Sequence, residues 1–173
     1  RGVCIGGAAS TREALNRTLS RLRTSYLDLY LLHWPLSRAA YALDDGRHAG
    51  VRLEAWSELV RLKRAGLVRA IGLSNFSPRQ MAPLLEVETP AVLQLEMHPL
   101  WQRRELRAYC EQHGILLQAY GHHKPELRAS AALQSAAAQL PVRDLGPAAV
   151  GLLGMRWALQ SGAAVIPRSS KLE

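Results

Sequence analysis

Cysteine is nearly missing from this chain. Cys4 and Cys110 stand far apart, outside any CxxC or Cys/His grouping, which argues against a disulfide framework or a structural zinc site and leaves both as spare thiols. The adjacent His122 and His123 have no carboxylate or cysteine at ligand spacing, and sequence neighbours seldom face one ion together, so no metal site is expected. No apolar run reaches ~18 residues and no charged-then-apolar leader is present, so neither membrane insertion nor export is indicated. The expected location is the cytoplasm, with no membrane partner. Helix-turn-helix, aromatic RNA platform, zinc finger, internal repeat and low-complexity tract are all missing. The net charge of +8 gives a basic field that can attract a phosphate-bearing cofactor or a nucleic acid. Its arginines are dispersed, however, as in Arg12, Arg17, Arg21, Arg61, Arg64, Arg103, Arg104 and Arg107. That spread reads as solvated helix faces, and no nucleic-acid partner is expected.

What is present is a regular alternation of helical and apolar segments in a chain that is 48% hydrophobic, a composition typical of globular proteins. Ser10-Thr11-Arg12-Glu13 has the form of a capping box opening a helix from Thr11 to Arg23, with Leu15, Leu19 and Leu22 at helical spacing. Tyr26 to Leu32 reads as a strand covered on both faces, stopped at Pro35. Residues 36–50 read as a loop, Leu53 to Arg64 as a helix, and Val68 to Leu73 as a strand. A short helix follows, with Ser77 as its cap and Pro78 in its first turn, running through Leu85. Then come a strand Ala91–Leu95, a helix Gln102–His113, a strand Ile115–Tyr120, a helix Pro147–Gln160 and a strand Ala163–Ile166. The alanine-rich stretch 121–146 carries no clear pattern. Five strands alternating with helices point to an α/β fold with a parallel sheet.

Five apolar runs each end in a different polar punctuation: Leu32-His33-Trp34-Pro35, Leu73-Ser74-Asn75-Phe76, Gln94-Leu95-Glu96, Tyr120-Gly121 and Pro167-Arg168-Ser169-Ser170. Parallel strands that deliver polar groups from their C-terminal ends are how a β/α barrel assembles one active site from several loops.

At these residues the chain resembles the aldo-keto reductases. Leu31-Leu32-His33-Trp34-Pro35 matches that family's strand-end histidine motif, Arg69-Ala70-Ile71-Gly72-Leu73-Ser74-Asn75-Phe76 its central signature, and Ile166-Pro167-Arg168-Ser169 the opening of its third. The resemblance runs from about Ser10 to Lys171 and implies a TIM (β/α)8 barrel. A complete barrel takes ~250 residues, rarely fewer than ~200, so the 173 residues are expected to form one partial barrel domain over residues 1–173. By the same resemblance the chain begins after the family's catalytic lysine and stops before the arginine usual for the 2′-phosphate.

The implied activity is oxidoreduction: hydride transfer from NADPH, or NADH in its place, to a small-molecule aldehyde or ketone. His33 matches the active-site histidine that orients the carbonyl; the alternative is a histidine merely satisfied beside Trp34. Ser74, Asn75 and Gln94 match residues that bind the nicotinamide carboxamide, a group needing both donors and acceptors; otherwise Ser74-Asn75-Phe76 is a turn in which asparagine bonds its own backbone. Tyr120 matches the ring stacked on the nicotinamide, or is a packed strand-end tyrosine. Arg168, Ser169 and Ser170 match the cluster contacting the adenosine 2′-phosphate, or form an exposed basic segment. Glu96 and His98 lie on the loop above the third strand and read as structural, the alternative being contact with substrate. The family's proton-donating tyrosine, with its lysine and aspartate, has no counterpart here, and Tyr26, Tyr30 and Tyr41 lie outside that motif. His33 alone offers feeble proton transfer. A second reading is a catalytically inactive cofactor-binding or scaffold fragment of the same family.

Overall fold

The computed structural model describes residues 6–35, 48–140 and 146–168. Within them helices and strands alternate: α1 (Gly7–Leu22), β1 (Leu27–Leu32), α2 (Ala49–Arg64), β2 (Val68–Ser74), α3 (Pro78–Leu85), β3 (Val92–Glu96), α4 (Arg104–Gln112), β4 (Leu116–Tyr120), α5 (Pro125–Ala129), α6 (Ala131–Ala138), a 3₁₀ turn (Gly146–Ala148), α7 (Ala149–Gln160) and β5 (Ala164–Val165). The sheet order β1-β2-β3-β4-β5 follows the chain, and every neighbouring pair is parallel. All five strands therefore end at one rim.

Strand alternation divides the sheet into two unlike faces. Leu93, Leu95, Leu117 and Ala119 are buried in one cluster with the helix residues Trp56, Leu59, Met81, Leu84, Cys110 and Ala158. Val92, Gln94, Glu96, Gln118 and Tyr120 point the other way and are only partly covered, while Leu116 beside them is 68% exposed. Close approach of β1, β2 and β3 depends on Gly72, where a Cβ would lie 2.5 Å from the Val92 carbonyl oxygen and 2.7 Å from Leu31 Cδ2. Deep in the helical layer, the Trp56 ring is fully buried, and its indole N–H donates to the Glu88 carbonyl at 3.0 Å.

Helix α2 is tied to α1 by charge. Glu58 is 5% exposed and accepts hydrogen bonds from Arg12 (2.7 Å) and Arg61 (2.8 and 2.9 Å). The bonds from Arg61, then Arg12, hold its carboxyl down at about 2. Six of the eight scattered arginines are exposed; the other two, Arg103 and Arg107, stack over Trp101 and Trp157 at 3.9 and 5.8 Å.

Two expectations need correction. The capping box at Ser10 does not form: α1 already starts at Gly7, whose φ of 75° turns the chain into the helix, so Ser10 lies inside the first turn and Glu13 pairs with Arg17 one turn on. A capping box forms instead at Ser77, whose N–H donates to Gln80 Oε1 at 2.9 Å, with Pro78 in the first turn of α3. Strand β1 is not covered on both faces: it is an edge of the described sheet, only Leu32 in it is buried, and Asp28 pairs in solvent with Arg69. Leu22 follows α1 out to 62% exposure. The unpatterned stretch holds α5 and α6, the latter capped by Ser130 Oγ accepting from the Leu133 N–H.

Candidate active site

Of the residues singled out at the strand ends, His33, Ser74, Asn75, Gln94 and Tyr120 meet at the common rim. Asn75 is their hub. Leaving β2, it takes φ 64°, a left-handed conformation that asparagine tolerates better than most residues. Its backbone N–H donates to the Gln94 carbonyl at 3.0 Å, continuing the ladder to β3. The side-chain amide donates to the His33 carbonyl and to Ser74 Oγ, each at 3.0 Å, and its Oδ1 accepts from the Tyr120 hydroxyl at 2.6 Å. One side chain thus joins the ends of β1, β2 and β4. It bonds across strands, unlike a turn asparagine satisfied by its own backbone.

Ser74 is fully buried and stands in register with Gln94, which is in register with Gln118. Gln94 Nε2 donates to Gln118 Oε1 at 2.6 Å. His33 follows β1 in a half-buried position, its ring edge-on to Trp34 at 5.9 Å and 71°. Its Nδ1 is buried with no hydrogen-bond partner among the described residues. Burial pushes the imidazole's pKa below its ordinary 6.5, so the ring is neutral at neutral pH.

Arg168 is not part of the Asn75 cluster. It is exposed on the wall of a cleft of about 470 Å³ that Tyr120, Lys124 and His122 also line, between the ends of β4 and β5. Ser169 and Ser170 lie outside the described residues.

Two features escaped sequence reasoning. Gln118 sits two residues before Tyr120 just as Gln94 sits two before Glu96, so period-2 polarity inside apolar strands marked both. The second is a polar cluster on Glu96, whose Oε1 accepts from His98 Nε2 at 3.0 Å and from Lys124 Nζ at 2.6 Å. Burial opposes ionisation of Glu96, but these two bonds outweigh it and hold the carboxyl below the usual range. Among the described residues no group of three or more His, Cys, Asp or Glu could hold a metal ion.

The remaining bonding capacity suits a primary carboxamide. Among the described residues, Asn75 has both amide hydrogens engaged and keeps one acceptor lone pair, whereas Gln94 keeps one N–H and its Oε1. The rim therefore offers both a donor and acceptors beside the Tyr120 ring.

Known proteins resemble the chain along nearly its whole length. The model of the Aldo/keto reductase family matches residues 6–137. An aldo-keto reductase of Mycolicibacterium vanbaalenii is 38% identical over 171 residues, 96% of this chain and 55% of the relative. Aldo-keto reductase family 4 member C11 of Arabidopsis thaliana is 34% identical over 92% of this chain and 53% of its own. The crystal structure of an aldo/keto reductase from Brucella melitensis superposes with TM-score 0.78 at 31% identity, covering 95% of this chain and 58% of that one. A variant of Gox0644 in complex with NADPH superposes with TM-score 0.78 at 33% identity, covering 95% and 56%. The chain spans about half the length of the curated relatives it matches. The five-stranded arc is thus part of a TIM (β/α)8 barrel, and the chain belongs to the aldo/keto reductase family.

Proposed function

We propose that this chain carries the nicotinamide-gripping rim of an NAD(P)H-dependent reductase of small aldehydes and ketones. The single observation behind this reading is the Asn75 hub, which fixes Ser74, Tyr120 and the His33 backbone relative to one another at the strand ends. When bound, the reduced nicotinamide supplies the hydride. Gln94 and the free lone pair of Asn75 hold the carboxamide, and Tyr120 offers its ring face for stacking. Ser74, buried beneath, keeps the Asn75 amide in its rotamer. Arg168, with Ser169 and Ser170, takes the 2′-phosphate, a guanidinium being suited to bidentate phosphate binding. That assignment favours NADPH over NADH.

His33 is the catalytic residue of this set. Because the ring is neutral at neutral pH, it orients a carbonyl oxygen by hydrogen bonding and is a weak acid. No helix among the described residues is long and apolar enough to cross a membrane, and we assign the chain to the cytoplasm. The test is NADPH oxidation in the presence of aldehydes and ketones. Slow carbonyl-dependent turnover that His33→Ala abolishes is expected; turnover indifferent to that change would remove His33 from the chemistry.

A further inference from the structure

A cleft of about 410 Å³ lies where the ends of β2 and β3 meet the starts of α3 and α4. Leu95 lines it, and strand alternation turns Leu95 away from Gln94 and Glu96 on either side of it. The cleft is therefore on the helical side of the sheet, opposite the face that carries Gln94 and Tyr120. Its apolar lining is Pro78 and Leu106, both partly exposed, backed by Phe76 and Leu95, which are almost wholly buried. Arg103 and Arg104 line it as well.

Arg103 is fixed in place by its own backbone and by two contacts. It takes φ 52° at the residue before α4, a left-handed conformation uncommon for a residue with a Cβ. Its Nε donates to the Glu96 carbonyl at 3.2 Å, and its guanidinium lies 3.9 Å from the centre of the Trp101 ring. The guanidinium is thus held by one nitrogen and one face, which leaves both Nη groups without a hydrogen-bond partner among the described residues. Arg104 is tethered likewise, its Nε donating to Gln102 Oε1 at 3.0 Å. Glu105 is the one carboxylate on the lining, and it forms no ion pair with either arginine among the described residues. Two positive charges against one leave the cleft attractive to an anion. A bare inorganic ion would make no use of Pro78 and Leu106, whereas a purely apolar molecule would leave the Arg103 fork unpaired. A planar carboxylate on an apolar body uses both.

We infer that this cleft binds a small monocarboxylic acid with an apolar body, its carboxylate on the Nη edge of Arg103 and its body against Pro78 and Leu106. Arg104, exposed at the mouth, adds charge. Trp101 is a positioning residue that keeps the Arg103 fork aimed into the cleft. The site stands apart from the nicotinamide reading, since none of these contacts involves Gln94, Tyr120 or His33.

Amide chemical-shift titrations of the ¹⁵N-labelled chain with benzoate, benzamide and inorganic phosphate test this. They are run on wild type, Arg103→Met, Arg103→Lys, Trp101→Leu and the Arg103→Met/Trp101→Leu double variant, with circular dichroism reporting the fold. Benzoate is expected to give saturable shifts at Ser77, Arg103 and Leu106, and to bind about tenfold tighter than neutral benzamide or than phosphate. Arg103→Met should weaken benzoate about tenfold, and Arg103→Lys about threefold because an ammonium lacks the fork. Trp101→Leu should weaken it about threefold alone and add nothing on top of Arg103→Met, the non-additivity expected when one residue acts through the other. Benzamide or phosphate binding as tightly as benzoate overturns the ligand class. Benzoate affinity unchanged in a folded Arg103→Met overturns the site, as does a wild-type chain with no saturable shifts. Shifts confined to His33 and Tyr120 would place the acid at the carbonyl end of the rim, which overturns this inference and leaves the reductase reading standing.

Discussion

Replacing Asn75 by alanine removes a side chain that makes three hydrogen bonds at the rim and leaves alanine at φ 64°. A net hydrogen bond is worth about 0.5–1.5 kcal/mol. The lower half of that range applies, because His33 and Tyr120 are only half-buried and water can replace part of the loss. Three such bonds give about 2 kcal/mol, and a left-handed alanine adds about 1 kcal/mol. The expected cost is therefore about 3 kcal/mol. Asn75→Gly separates the two contributions: glycine relieves the backbone strain but loses more entropy on folding, for a net recovery of about 0.5 kcal/mol relative to alanine. Tyr120→Phe, which removes one of the three bonds, should cost about 1 kcal/mol. Urea unfolding followed by circular dichroism, at constant m, reads all three variants. Stability of Asn75→Ala within about 0.5 kcal/mol of wild type would refute the hub, as would Asn75→Gly proving less stable than Asn75→Ala.

Glu58 makes stability depend on acid. Its carboxyl stays ionised in the folded chain down to about 2 but takes up a proton near 4.5 when unfolded, so its contribution is complete above pH 4.5 and is lost as pH falls toward 2. The full linkage is about 3 kcal/mol, reduced to about 1–2 kcal/mol because both guanidiniums stand half in solvent; Glu58→Gln should flatten the stability profile over that interval, and an unchanged profile would exclude the pair as its source. Gly72→Ala puts a Cβ 2.5 Å from a backbone oxygen of β3 and should cost about 1–3 kcal/mol, read as a lowered unfolding midpoint. An alanine variant as stable as wild type would show that β2 and β3 can separate.

Much of the fold could be read because each strand is an apolar run with a polar stop. Val68 and Tyr120 stand at strand ends where the sequence puts them, since Gly66 before one and Gly121 after the other break the pattern. The start of α1 was obscured by Ser10 and Glu13, which mimic a cap that Gly7 makes unnecessary. Helix α6 was invisible because its run of alanines presents no polar or apolar face to mark a period, and α5, five residues long, is too short to show one. At the site, motif spacing identified the residues at the rim but not what joins them. The bonds from Tyr120 to Asn75 and from Gln94 to Gln118 span 45 and 24 positions, and no local signal records such a pairing. Lys124 was overlooked for the same reason: its partner Glu96 is set by the fold, through the close passage at Gly121.

The central claim is that side chains from separate strands close around one nicotinamide ring. Proton–proton Overhauser effects between bound NADPH and the chain test it most directly. The account requires cross-peaks from the nicotinamide ring protons to the Tyr120 ring and to the Asn75 and Gln94 side-chain amides, all lost together in Asn75→Ala. Cross-peaks from the adenine to Tyr120, or nicotinamide contacts confined to residues away from the strand ends, would contradict it.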